Sequence, residues 1–187
     1  MLRSTILRSS VTLLFASTTL LLTSSCAKSG DQVITHENGF SLTIPASMRE
    51  SSDLNEDASL QYENMFDDIY VIVIEDTKEE MEAALSENDL LDLYPNTLEG
   101  FTDLISESLV SSLSNVNQSP ILDTTINSLD ARIMTISGTY LDIDGYYYLG
   151  LFEGSDRYYQ VMTWTSLDNK AEHTAKMKNM VYSMTEI

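Results

Sequence analysis

Alternating apolar residues broken by hairpin turns, with two helical stretches among them, predict an α+β chain built on an antiparallel β-sheet flanked by helices. Three observations carry this. Strand patterns joined by turn signals fill most of residues 121–165, and no strand–helix–strand repeat occurs. The helical periodicities are confined to one central segment and one terminal segment.

Residues 1–25 read as a secretory leader. Arg3 and Arg8 supply a positive start, an apolar run follows over residues 11–22, and Thr23, Ser24 and Ser25 precede Cys26. The run is too short and too interrupted by Ser and Thr to span a membrane, which takes roughly 20 apolar residues. Cys26 is the only cysteine, so no intramolecular disulfide can form. Its setting resembles the lipobox of bacterial lipoproteins, although Leu22 lies one residue further from the cysteine than in the usual pattern. The resemblance implies cleavage before Cys26, lipidation of Cys26 and attachment to a membrane. Ala27, where an Asp would retain such a protein on the inner membrane of enteric bacteria, favours the outer membrane. Residues 26–36 are expected to form the tether, opening with small and polar Ala27, Lys28, Ser29 and Gly30. Residues 37–187 are expected to form one domain.

The chain has 29 acidic and 10 basic residues, a net charge of −19. Loss of a leader carrying Arg3 and Arg8 and no acid leaves about −21. Such a surface repels phosphate backbones and excludes nucleic acid as a partner. The acid is concentrated: residues 50–107 hold 18 acids and a single base, Lys78.

In the domain, residues 39–45 alternate Phe40, Leu42 and Ile44 with polar neighbours and stop at Pro45, a half-buried strand. Residues 46–57 read as an acidic loop and 59–64 as a second strand. The β-branched run at 69–74 reads as a central strand covered on both faces. Thr77 with Glu80 forms a capping-box pattern that starts a helix, broken at residues 86–89, with a short second piece ending at Tyr94. Leu98, Phe101, Leu104, Ile105, Leu109 and Leu113 mark an amphipathic helix. Strands are expected at 121–126, 131–143, 146–153 and 157–165, with Asp144-Gly145 as a two-residue hairpin turn. Asp168 is placed to cap a last helix running to about Met184.

This order, with Phe40, Leu42, Ile44 and Pro45 at the front, the 69–74 strand, and the Tyr-rich meander over 131–165, resembles the PsbP-like fold. The resemblance covers about residues 37–187. It implies an α-β-α sandwich that serves in binding or assembly, in a group that includes many bacterial lipoproteins. No functional residue carries over with it.

Catalytic patterns are absent. His36 and His173 are the only histidines, and no nucleophile elbow, phosphate loop or His-Glu-x-x-His motif occurs. A non-enzymatic chain without cofactor or metal is therefore expected. Asp142, Ile143, Asp144 and Gly145 resemble the opening of a calcium loop but lack its later ligands. Glu50, Asp53, Glu56 and Asp57 form an acidic loop open to solvation or to a hard cation. The aromatic residues are the main candidates for binding: Tyr146 and Tyr148 on one strand, Tyr158 and Trp164 on the next. They suit either a platform for a glycan ring or extended peptide, or the core of the sheet. The expected role is a membrane-anchored, non-catalytic envelope module with a protein partner; the alternative is a glycan or cation binder.

Overall fold

The computed structural model describes residues 30–187; the expected leader and Cys26 lie outside the described residues. Five strands come first: β1 (Asp31–His36), β2 (Phe40–Pro45), β3 (Arg49–Glu50), β4 (Leu60–Asn64) and β5 (Ile69–Thr77). Helices α1 (Lys78–Glu87) and α2 (Leu98–Ser111) follow. Then come β6 (Ser114–Gln118), β7 (Leu122–Ile126), β8 (Leu129–Tyr140), β9 (Ile143–Glu153) and β10 (Arg157–Ser166). The described chain closes with α3 (Lys170–Tyr182) and β11 (Thr185–Glu186). The fold is α+β, and its strands pair antiparallel.

The large sheet runs β3-β4-β5-β10-β9-β8-β6, with β7 sharing the outer edge of β8 with β6. A small sheet, β1-β2-β11, is hydrogen-bonded separately from it. Alternation along each strand divides the core in two. On one face, Phe40, Leu42 and Ile44 of β2 and Met177, Met180 and Val181 of α3 pack with Val71, Val73, Phe152 and Val161. On the other, Met81 and Leu85 of α1 and Phe101 of α2 pack on Met134, Leu149, Leu151 and Tyr158. Helix α3 lies close on the sheet because residue 150 is glycine: a Cβ there would come within 2.5 Å of Val181 Cγ1. The capping box at α1 forms, with Glu80 N donating to Thr77 Oγ1 at 3.1 Å and Thr77 N donating to Glu80 Oε2 at 3.2 Å. Among the described residues, no helix is long and apolar enough to cross a membrane.

Three expectations need correction, and one strand, β6, is not anticipated by the sequence. Residues 31–36, assigned to the tether, form β1 and pair with β2 from Asp31↔Pro45 to His36↔Phe40. Strand β1 therefore lies five residues after Cys26 in the sequence. Strand β6 has no apolar alternation because all five of its residues are exposed at the sheet edge, so its polar sequence carries no strand signal. The piece ending at Tyr94 is a turn, in which the Leu93 and Tyr94 amides both donate to Leu90 O. Asp168 does not cap α3; it lies in a 3-10 turn, Leu167–Asn169, that precedes the helix.

The hairpin turn is also displaced. It lies at Leu141 and Asp142, with φ of +48° and +66°, while Asp144 pairs with Thr139 and Gly145 with Gly138. Both far ends of this hairpin are fixed by other turns. Asn127 and Ser128, with φ of +49° and +71°, close β7 onto β8, and residues 154–156 close β9 onto β10. Asp130 consequently pairs with Glu153, and the midpoint of that pair falls between Leu141 and Asp142. Register imposed by neighbouring hairpins outweighs the local preference of Asp-Gly, at the cost of a leucine held in the left-handed region.

Asp68 ties the β4–β5 turn to the start of α3. Its carboxylate accepts from Ser166 N at 2.9 Å, Asn169 Nδ2 at 3.0 Å and Thr165 Oγ1 at 3.3 Å. Burial alone would raise its pKa, but these hydrogen bonds together hold it below the usual value. A depressed carboxylate contributes stability that is complete above its unfolded pKa and lost as pH falls through its folded one. Asp68→Asn keeps a residue tolerant of the φ of +50° found there and removes only the charge. The variant is expected to lose about 1–2 kcal/mol at about pH 7 in urea melts, and the deficit should shrink toward about pH 3. A deficit independent of pH would refute the role of the charge.

Candidate binding surface

The four aromatic candidates do not form one platform. Tyr146 and Tyr148 pair across β9 and β10 with Thr165 and Thr163, on the α3 face. Tyr158 and Trp164 point to the α1–α2 face. Tyr146, Tyr148 and Tyr158 are buried, the last stacked on Phe101 with centroids 5.0 Å apart. Lys170 caps the Tyr146 ring at 4.4 Å. Burial, then the neighbouring Tyr182, pushes the Tyr148 hydroxyl above its usual range. These three tyrosines are core residues with polar tips.

Trp164 belongs to a different group. Strand register aligns Tyr70 of β5, Trp164 of β10 and Tyr147 of β9 in one row, with Glu63 of β4 at its end. Tyr70 and Trp164 stack with centroids 5.1 Å apart and planes 11° from parallel. All three rings are half-buried, because α1 and α2 cover the sheet further along and leave this row at the margin of their core. Burial raises the pKa of both Tyr70 and Tyr147, reinforced for Tyr70 by Asp68 and Glu63. Both hydroxyls therefore stay protonated and can donate. Tyr70 and Trp164 are stacked on each other, so the row can meet a planar or ring-shaped ligand with ring edges, its outer ring faces and hydroxyl donors. Tyr70 and Tyr147 give no binding signal in the sequence because they become neighbours of Trp164 only through strand register.

At the opposite end of the sheet, a cleft of about 210 Å³ is lined by Asn38, Asp156, Arg157, Tyr159, Glu186 and neighbouring backbone. Glu75, nearly buried, accepts from Arg157 Nη1 at 2.8 Å and from Asn38 Nδ2 at 2.6 Å. Arg157 also donates from Nε to Asp156 at 2.9 Å, and its pKa is raised above the ordinary range by the hydrogen bonds to Asp156 and Glu75. Glu186 accepts from Tyr159 Oη at 3.0 Å and from Ser155 N. These groups are hydrogen-bonded to one another, so the network clamps β11 and the β9–β10 turn, with three carboxylates set against one guanidinium.

His36 stacks on Phe40 and lies 3.8 Å from Glu75 Oε1, whereas His173 is buried on α3 beside Lys176. The two histidines do not meet at one site. Asp144 accepts from Thr139 Oγ1 at 2.6 Å within the ladder, which separates it from the calcium-loop pattern. Among the described residues, no group of three or more His, Cys, Asp or Glu side chains is placed to hold a metal ion.

No protein-family model matches the chain, and no curated protein matches it by sequence. Its fold is nevertheless shared with solved structures. Cyanobacterial PsbP (CyanoP) from Synechocystis superposes with a TM-score of 0.56 at 6% identity, over 87% of this chain and 96% of that one. The fold is PsbP-like. LpqN of Mycobacterium tuberculosis, described as involved in cell envelope biogenesis, has a TM-score of 0.51 at 11% identity, over 83% of this chain and 90% of that one. A protein from Bacteroides thetaiotaomicron matches with a TM-score of 0.50 at 11% identity, over 86% of this chain and 49% of its own. At these identities the likeness shows the PsbP-like fold and nothing about ligands.

Proposed function

We propose that this PsbP-like chain is a lipid-anchored module of the bacterial cell envelope that binds or helps to assemble a partner protein without catalysis. The observation that carries this reading is the junction at Cys26: a leader-like segment ends there, and strand β1 begins at Asp31. A domain held so near a lipidated cysteine works at a membrane surface, and its fold recurs in LpqN, described as an envelope biogenesis protein. Ala27, in the place of a retaining Asp, favours the outer membrane.

Crosslinking of the full lipoprotein in its native membrane, with Cys26→Ala as the unanchored control, tests both parts. The wild-type chain is expected in the membrane fraction with acyl mass on Cys26 and with one reproducible envelope protein attached. The variant is expected in the soluble fraction without it. Recovery of both forms in the membrane would remove the anchor; recovery of an acylated chain alone would remove the partner.

The aromatic row favours a second reading, a glycan or extended peptide as ligand. Trp164→Ala removes the central ring of the row, and aromatic stacking is worth about 0.5–1.5 kcal/mol. Calorimetry against envelope glycan fragments is expected to show affinity about threefold to tenfold lower for the variant. Equal affinity in both proteins would exclude the row as the site.

A further inference from the structure

Among the described residues, six of the eleven exposed large apolar side chains gather at one end of the large sheet. Met65 and Phe66 form the β4–β5 turn, Tyr140, Leu141 and Ile143 form the β8–β9 tip, and Leu167 follows β10. Phe66 is 97% exposed and Leu141 78%. Strand register places them at a common end, since Asn64↔Ile69, Tyr70↔Trp164, Gly145↔Ser166 and Tyr140↔Ile143 follow one another across β4, β5, β10, β9 and β8. Ile143 and Asp144 have no partner on β10, so the β8–β9 ribbon overhangs the sheet there.

The described chain begins at this same end. Ala46 N donates to Gly30 O at 2.9 Å, and Asn64 Nδ2 donates to Ser47 Oγ at 3.2 Å, which brings Gly30 near the β4–β5 turn. Gly39, Ser155 and Ile187 lie together at the other end. Gly30 follows Cys26 by four residues, a span of at most about 14 Å when fully extended. An acyl chain on Cys26 therefore holds the apolar end, and not the cleft end, against the bilayer surface. Exposed apolar groups clustered in this way mark membrane or protein contacts, and the tether places lipid within their reach.

We infer that this end is a membrane-facing foot, in which Phe66 and Met65 from one turn and Leu141, Ile143 and Tyr140 from the other enter the interfacial layer of the lipid that carries the anchor. The inference rests on the lipid-anchor reading. The foot adds a second, non-covalent contact to the acyl chains and sets the orientation of the domain, with the Arg157 cleft directed away from the membrane. Exposed Asp67 follows Phe66 at one tip, and exposed Asp142 stands between Leu141 and Ile143 at the other. They match a zwitterionic headgroup layer and are repelled by a strongly anionic one.

The test uses mature acylated protein in vesicles of phosphatidylethanolamine with a minor fraction of phosphatidylglycerol. Phe66→Cys, Leu141→Cys and Ser155→Cys are each labelled with an environment-sensitive fluorophore. All three positions are exposed, so the substitutions leave the core intact. Labels at 66 and 141 are expected to shift to the blue and to be quenched by doxyl-lipids at least about threefold more than the label at 155. Equal quenching at the three positions overturns the foot. A blue shift without lipid quenching, lost when protein is diluted among vesicles, assigns the patch to a second copy and also overturns it. Two labels per molecule by mass would show a free Cys26 and so the failure of the anchor. In that case, co-sedimentation of the unlabelled chain with the same vesicles decides: binding lowered by the double variant F66D/L141D retains the foot, and absence of binding removes it.

Discussion

Phe101→Ala is expected to destabilise the domain by about 3–5 kcal/mol. Phe101 is only 1% exposed and stacks on Tyr158 with planes 18° apart. It joins α2 to the sheet in a core separate from that of α3, with Met81, Leu85, Leu149 and Leu151 around it. The neighbouring Gly100 packs its backbone against Pro95, so α2 has little freedom to move inward and fill the cavity. Urea denaturation followed by circular dichroism gives the total loss. Hydrogen exchange gives its location: amides of α2 should exchange faster while those of α3 keep their protection relative to global stability. A loss below about 1 kcal/mol would mean that the α1–α2 layer contributes little to the fold.

Arg157→Met is expected to cost about 2–4 kcal/mol. The change preserves the aliphatic stem and removes the guanidinium that neutralises Glu75, whose side chain is 8% exposed. Glu75 would retain Asn38 as a donor, but beside an unpaired Asp156. Because the arginine side chain is itself 21% exposed, water enters and the cost stays below that of a fully buried pair. Adding Glu75→Gln should recover part of the loss, since the stranded charge is then gone. Strict additivity of the two substitutions in a double-mutant cycle would show that the pair is not coupled.

Much of the fold is legible in the amino-acid sequence. The alternation at Phe40, Leu42 and Ile44, the β-branched run at 69–74 and the Thr77–Glu80 capping box each act through bonds or burial within a few residues of sequence. The polar edge strand β6 is not legible, because an exposed strand buries no side chain and so shows no period. Strand β1 is obscured in another way. Its weak exposed-and-half-buried alternation has meaning only once β2 is there to accept its hydrogen bonds. The displaced hairpin shows the same limit: Asp144-Gly145 is a good turn locally, yet hairpins at both far ends decide where the turn falls.

The binding candidates divide along the same line. Tyr146, Tyr148, Tyr158 and Trp164 stand out by residue type, and three of the four are core. Trp164 gains its neighbours Tyr70 and Tyr147 from other strands of the sheet. By itself the sequence determined the α+β class, the acidic character and the starts of α1 and α2, since these depend on composition and on periods shorter than one element. Only the tertiary structure decided the register, the row of half-buried rings and the gathering of Phe66 and Leu141 at the end where the chain enters. Those features arise from pairing between residues far apart in the chain, and no local pattern encodes which strand will lie beside which.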